Sequence, residues 1–520
     1  MPVKIILSLL FGVLLGLSWP TAGFTPLIFV ALVPFLWLIE LTKNDGFWRF
    51  TARVFLGFLV WNVITTWWLW NATIFGMFFA IVVNSLLMTT VVLFWRRIDR
   101  KLSRKAGFIF LPLAWICFEK LHLHWDFSWP WLNLGNGFAV NPNWVQWYEY
   151  TGVFGGTLWI WMVNISLYHT LKHYCETKKL HKKWIRPLAL ILIPLGLSLL
   201  IKNQFEQDIS EKLTVTVVQP NIDPYTEKYN QTTQDQFALL LNQTASELGQ
   251  TPDVIITPET YFSEGAGINL TYIEESKLYQ DLLNYAKTHN TQLLNGIQFY
   301  KTYAEEDKTK TANKLNNGIW ADFYNSAFLT DTTGVQVYHK SKLVVGVETL
   351  PFRNIIEPLL GNVMLDFGGT VLTRATQEER EAFPLYNGVK ISPVICYESV
   401  YGEFVTGYVR NGAQVLAIMT NDAWWGDTPG HKQHLAYARL RAIETRRAVV
   451  RSANTGISGF ISPLGELTAK LPYNTKGVLS ATVHPQKNIT LYVRYGDYIF
   501  RLGGFVAGLM LLFSFSRRKN

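Results

Sequence analysis

Ile391-Ser-Pro-Val-Ile-Cys-Tyr-Glu398 reads as a buried β-strand that stops at a cysteine. The apolar, β-branched residues before Cys396 suit a strand covered on both faces, and the polar Tyr397-Glu398 pair marks a turn. A sharp turn at a strand end exposes its side chain, which is where α/β proteins place nucleophiles. The chain has three cysteines in 520 residues; Cys117 lies in an apolar run and Cys175 in a basic loop. Three cysteines form no disulfide framework. A lone thiol is either reactive or buried and inert, and the neighbours of Cys396 favour the first reading.

Outward from this run, from Leu213 onward, short β-rich segments alternate with helical ones. Strands are expected at Thr214–Gln219, Val254–Thr257, Thr291–Gly296, Ser326–Leu329, Val335–Tyr338, Ile391–Ile395, Val415–Thr420, Ala448–Ser452 and Ile457–Ile461. Helices are expected at Gln234–Leu248, Tyr279–His289, Glu403–Asn411 and His434–Arg446, with 299–317 as an exposed excursion. Such alternation argues for α/β layers.

The remainder of the chain has another character. The sequence is 49% hydrophobic with 20 tryptophans, and 16% is charged, against about 25% in soluble proteins. The apolar excess lies in segments near 4–18, 24–41, 54–70, 74–95, 107–118, 152–171, 187–201 and 499–516. Several approach the ~20 residues that cross ~30 Å of hydrocarbon. The first lacks a small-residue cleavage site and reads as a retained span. Basic residues crowd alternate connections: Lys43, Arg49 and Arg53; Arg96 to Lys105; Lys172 to Arg186; and Arg517, Arg518 and Lys519. Eight spans with these clusters in the cytoplasm place 202–498 on the outer side. The expected organisation is 1–205 with seven spans, 206–490 as a periplasmic catalytic domain, and 491–520 with the eighth span and a cytoplasmic tail. The loops absorb the net charge of +9, so no nucleic-acid partner is expected. Residues 119–150 hold Trp125, Trp129, Trp131, Trp144 and Trp147. They read as an interfacial aromatic belt or as the wall of a lipid cleft, with Trp129 in it. Glu119 reads as a helix-end charge at the interface.

Three residues at strand ends or loops combine into a chemistry. Glu259, after the strand at 254–257, is a general base for a thiol. Lys340, in a basic loop, is a cation for a tetrahedral oxyanion and favours the Cys396 thiolate. The N–H of Tyr397 is a second oxyanion donor. No metal-ligand spacing and no phosphate-binding glycine loop is present, so no cofactor is expected.

The strings Pro258-Glu259, Tyr338-His-Lys340-Ser-Lys-Leu343 and Ile395-Cys396-Tyr-Glu398 resemble the nitrilase superfamily. With the spans, and with Val218-Gln-Pro-Asn-Ile222, Tyr324-Asn-Ser-Ala327, Thr420-Asn-Asp-Ala-Trp-Trp-Gly426 and Arg451-Ser-Ala-Asn-Thr-Gly456, the chain is similar to that superfamily's membrane-embedded branch, the apolipoprotein N-acyltransferases. The resemblance implies an αββα sandwich for the outer domain. It implies Glu259 as base, Lys340 as oxyanion stabiliser and Cys396 as nucleophile, with Glu348, Tyr397, Glu398, Tyr229, Trp129 and Trp425 supporting the site or binding substrate. The implied reaction moves an acyl chain from a phospholipid to Cys396, then to the α-amino group of a diacylglyceryl-cysteine apolipoprotein, in the bacterial inner membrane and by a monomer. The rivals are a membrane-tethered amidase using the same triad and a non-catalytic lipid-binding or transport protein. Lys340→Met is expected to spare folding and slow the first step.

Overall fold

The computed structural model describes residues 2–21, 23–179, 182–228, 230–245, 252–315, 317–331, 334–349, 351–352 and 373–516. It divides into two compact units: Met1–Phe205 with Tyr495–Asn520, and Glu206–Arg494.

The second unit is a nitrilase-like α/β sandwich. Its strands are β1 (Leu213–Gln219), β2 (Val254–Ile256), β3 (Ile268–Asn269), β4 (Gln292–Tyr303), β5 (Asn313–Lys314), β6 (Trp320–Asp331), β7 (Gly334–His339), β8 (Phe383–Pro384), β9 (Lys390–Ile395), β10 (Val415–Thr420), β11 (Ala448–Ala453), β12 (Gly459–Ile461), β13 (Leu467–Lys470) and β14 (Gly477–Val483). One sheet runs β14-β1-β2-β4-β6-β5, with β3 on β4 and β7 on β6; the other runs β13-β12-β11-β10-β9-β8. Strands β1, β2 and β4 are parallel, as are β9, β10 and β11. These strands read as continuous apolar runs because both faces are covered. The sheets meet through β1 and β11, where Ser452 Oγ donates to Val218 O at 2.8 Å. Helices Thr233–Thr244 and Lys277–His289 close the outer face of the first sheet through Leu240, Leu282 and Tyr285 against Ile255 and Leu293.

Two expectations need correction here. Residues 299–317 are an excursion only in part: β4 continues to Tyr303 and pairs residue for residue with β6 out to Trp320, while 304–310 are exposed. The charged tip hid the hairpin, since its lysines shield an aromatic; Lys308 Nζ lies 4.1 Å from the Trp320 ring centroid. The helix expected from His434 begins at Pro429. Pro429-Gly430 reads as a breaker, yet Thr428 caps the end by accepting from Gly430 N and proline suits the first turn.

All eight apolar segments of the first unit contain helix. Among the described residues, four helical stretches are long and apolar enough to cross a membrane: Phe47–Asn71, Ile74–Lys101, Lys182–Gln204 and Tyr498–Ser516. Pro2–Ser18 and Thr25–Leu41 are apolar and shorter. The second segment is broken into a 3₁₀ turn, Thr25–Phe29, and a helix, Val33–Leu41. Asn164 bridges the break: its Nδ2 donates to Ile28 O at 2.9 Å and its Oδ1 accepts from Leu32 N at 2.9 Å. Freed main-chain groups in a membrane protein require such partners. Asn164→Leu is expected to strip both, costing about 1–3 kcal/mol for each group left buried and unpaired. A clear fall in the unfolding temperature in detergent checks this; an unchanged transition contradicts it.

Glu119 is also unlike its expectation. It is fully buried, and its carboxylate accepts from Trp115 Nε1 at 3.0 Å, Leu134 N at 2.7 Å and Thr157 Oγ1 at 2.7 Å. The tryptophan-rich loop it ties down is packed inward more than an interfacial belt would be: Trp131 is 1% exposed, and its ring centroid lies 5.1 Å from that of Trp68.

Candidate active site

Three strand ends of the α/β unit supply the site. β2 runs into Pro258-Glu259, β7 into Lys340 and β9 into Cys396. Lys340 is 1% exposed, so it belongs to the interior and not to a solvated loop. Its Nζ lies 2.8 Å from Glu259 Oε1 and 2.8 Å from Glu348 Oε2. Asn325 Nδ2 spans the same two carboxylates, at 2.8 Å from Glu259 Oε1 and 2.8 Å from Glu348 Oε1. The second Glu259 oxygen accepts from Asn421 N at 3.1 Å. Asn325 O also accepts from Lys340 N at 2.8 Å, so one residue of β6 holds the lysine's backbone and both of its carboxylate partners.

Burial alone would lower the Lys340 pKa, yet the Glu259 and Glu348 charges win and push it above the ordinary lysine value. Burial favours the neutral acid at Glu348, but Lys340 and Arg374 hold it below the usual carboxylate range. For Cys396 the balance goes the other way. Burial and the Glu259 charge push the thiol well above its ordinary value, and the opposing pull of Lys340 is outweighed. Lys340 favours the Cys396 thiolate as expected, but burial and Glu259 outweigh it. The cysteine rests as a thiol and needs a base. Transfer of its proton to Glu259 removes the carboxylate charge that disfavours the thiolate, while the Lys340 charge remains to favour it.

Cys396 sits at φ 50°, in the left-handed region that non-glycine residues seldom occupy. Such strain persists at functional sites when the surroundings over-determine it. Here Glu398 is the brace. Its Oε1 accepts from Tyr338 OH at 2.6 Å and Ser341 N at 2.7 Å, and its Oε2 from Ile395 N at 2.8 Å and Tyr408 OH at 2.8 Å. One carboxylate thereby ties the residue before Cys396 to the residue after Lys340. Behind the cysteine, Ser399 Oγ donates to Cys396 O at 2.7 Å, and His434 Nε2 lies 3.2 Å from the same oxygen. His434 is fixed in turn by Asp422 at 3.0 Å. Burial works against the Asp422 charge, but Arg451 at 2.6 Å and His434 hold its carboxyl well below the usual range.

Glu398→Gln is expected to keep the shape and leave at least one of the four donors facing an amide N–H₂. The cost is about 1–3 kcal/mol per unsatisfied group. A drop of several degrees in thermal unfolding, together with slower thiol modification of Cys396 by an acylating reagent, checks it; wild-type values for both contradict it.

The other expected residues divide. Glu348 joins the site, and Tyr397 follows the cysteine in a short 3₁₀ turn, its ring edge-on to Tyr401 at 5.2 Å. Trp425 packs edge-on against His434 at 5.6 Å, beneath the nucleophile. Trp129 belongs to the helical unit, where its ring centroid lies 5.8 Å from that of Trp131. Tyr229 lies outside the described residues. Asn325, Lys228 and Thr420, whose hydroxyl bonds the Cys396 thiol, carry roles the sequence reading did not assign. A buried Asn-Ser pair in an otherwise apolar strand was the available signal for Asn325; Lys228 offered none.

Residues 214–490 match the carbon-nitrogen hydrolase family, which defines the class of the α/β unit and its site. Residues 11–166 match the apolipoprotein N-acyltransferase N-terminal domain. The apolipoprotein N-acyltransferase of Chlorobaculum tepidum is 30% identical over 99% of this chain and 97% of its own length. That of Rickettsia prowazekii is 26% identical over 96% of this chain and 95% of its own. The chain belongs to the apolipoprotein N-acyltransferase family. Among solved structures, an amidase from Nesterenkonia sp. is similar at 15% identity and a TM-score of 0.37, covering 56% of this chain and 96% of that one.

Proposed function

We propose that this enzyme N-acylates lipoproteins in two half-reactions at Cys396, with a membrane phospholipid as donor. In the first, Glu259 takes the Sγ proton and the thiolate attacks the ester carbonyl carbon. The C=O electrons move onto oxygen, where Lys340 faces the developing charge. The C–O bond then breaks, and the departing lysophospholipid oxygen takes the proton from Glu259. An acyl thioester remains. In the second, the neutral α-amino group of a diacylglyceryl-cysteine attacks the thioester carbon and passes its proton to Glu259. The C–S bond breaks, and Cys396 recovers the proton as a thiol. Splitting the transfer in this way lets two bulky lipids use one site in turn.

The observation that carries this reading is the Lys340 ammonium held 2.8 Å from each of Glu259 and Glu348, beside a strained cysteine, in a chain of this family. The acceptor follows from the family. The donor, the monomeric state and a periplasmic catalytic unit in the inner membrane are our reading; the alternation of basic connections supports the last. The amidase rival transfers to water through the same triad. Incubation with acyl-labelled phospholipid separates the two. Label is expected on Cys396, discharged by a diacylglyceryl lipopeptide to give an amide. Label lost to water at the same rate with or without the lipopeptide defeats the proposal.

A further inference from the structure

Lys228 is a buried cation that the mechanism above leaves unused. It is 3% exposed, in the segment between β1 and the helix Thr233–Thr244. Its Nζ donates to Glu259 O at 3.1 Å and to Thr260 Oγ1 at 2.6 Å. Both acceptors belong to the turn that carries the base. That turn is strained: Thr260 has φ 46°, a β-branched residue in the left-handed region. It is also pressed onto β4, where Gly296 leaves no room for a side chain; a Cβ there would stand 2.1 Å from Pro258 O. The turn is therefore gripped from two sides, by a glycine strand and by an ammonium.

The surroundings of Lys228 are charged. Glu259, Cys396, Lys340 and Arg374 all lie within its electrostatic reach. The site holds two carboxylates, Glu259 and Glu348, and Lys340 is a single positive charge between them. Lys228 supplies another without a direct bond to either carboxylate oxygen.

We propose that Lys228, as an ammonium, is a positioning residue for the first half-reaction: it clamps the Glu259–Thr260 turn that aims the base. This rests on the reading of Cys396 as the acylated nucleophile. Burial is the chief influence on Lys228 and draws its pKa down to about 8, against the raising effect of Glu259. The ammonium is thus half titrated at about pH 8 and is lost as pH rises beyond it, while Lys340 stays charged.

The test is the single-turnover rate of label transfer from phospholipid to Cys396 in the full-length protein, followed from pH 6 to about pH 10. The wild-type rate is expected to fall above about pH 8, approaching tenfold per unit as the ammonium titrates. Lys228→Met is expected to slow the step on the order of 10²-fold, the scale of a misplaced catalytic group, and to lose the alkaline fall. Lys228→Arg, charged throughout, is expected to regain part of the rate and to stay flat to pH 10. A wild-type rate that holds to pH 10, or a Lys228→Met profile identical to the wild type's, overturns the inference. Should Lys228→Met fail to fold, the wild-type and Lys228→Arg profiles still decide it. Absence of any thioester on Cys396 in the wild type instead defeats the proposed function.

Discussion

Cys396→Ser is expected to abolish the acyl-enzyme, with a loss on the order of 10⁴- to 10⁶-fold, the scale seen when a nucleophile is removed from a catalytic unit. The structure explains why the hydroxyl cannot substitute. Burial and Glu259 already push the more acidic thiol above its ordinary value. A hydroxyl starts several units higher, and the same surroundings work against its anion. A carboxylate is too weak a base to remove a hydroxyl proton outright. The exchange is nearly isosteric, and Thr420 remains beside the new hydroxyl, so unfolding is expected within a few degrees of the wild type. Mass measurement of the peptide containing position 396 after incubation with phospholipid reads the result. An ester at wild-type rate on the serine variant would remove the special role of the sulfur.

Lys340→Met is expected to damage both rate and stability. Loss of the oxyanion cation alone costs about 10²- to 10³-fold in the first half-reaction. The sequence reading expected folding to be spared. The structure reverses this. Removing the ammonium leaves Glu259 and Glu348 buried and bridged by Asn325. Breaking a buried ion pair in this way costs about 3–5 kcal/mol. The pH dependence follows by sign. In the wild type the Glu348 pKa lies below its ordinary value, so its stabilising contribution is present above the unfolded pKa and is lost as pH falls. In the variant the unpaired carboxyl is shifted upward, so the neutral acid is favoured and the deficit grows as pH rises. Chemical unfolding of the two proteins at pH 5 and pH 8 is expected to show the larger gap at pH 8. A gap that is equal at both, or absent, contradicts the buried ion-pair account.

Cys396 was legible as a candidate nucleophile because a local pattern marks it: an apolar run, a cysteine and a polar turn within eight residues. Glu259 and Lys340 were legible at their strand ends, with the family strings Pro258-Glu259 and Tyr338-His-Lys340 as support. The helix Lys277–His289 was legible for the same kind of reason, since Ser276 caps its start and Asn290, at φ 49°, ends it. The hairpin of β4 and β6 was obscured because its outer half is charged. The break at 30–32 was obscured because an apolar run looks alike whether it is one helix or two.

The amino-acid order by itself determined the alternation of strand and helix, the apolar segments, and the residue types able to perform acyl transfer, because periodicity and strand-end chemistry are short-range properties. Only the tertiary structure decided the electrostatics. Residues 228, 259, 325, 340, 348 and 396 are distant along the chain, and the energy of a buried charge depends on what surrounds it in space. That is why Lys340 proved to be an interior cation between two acids, Cys396 a thiol awaiting a base, Glu398 a brace, and Lys228 part of the site at all.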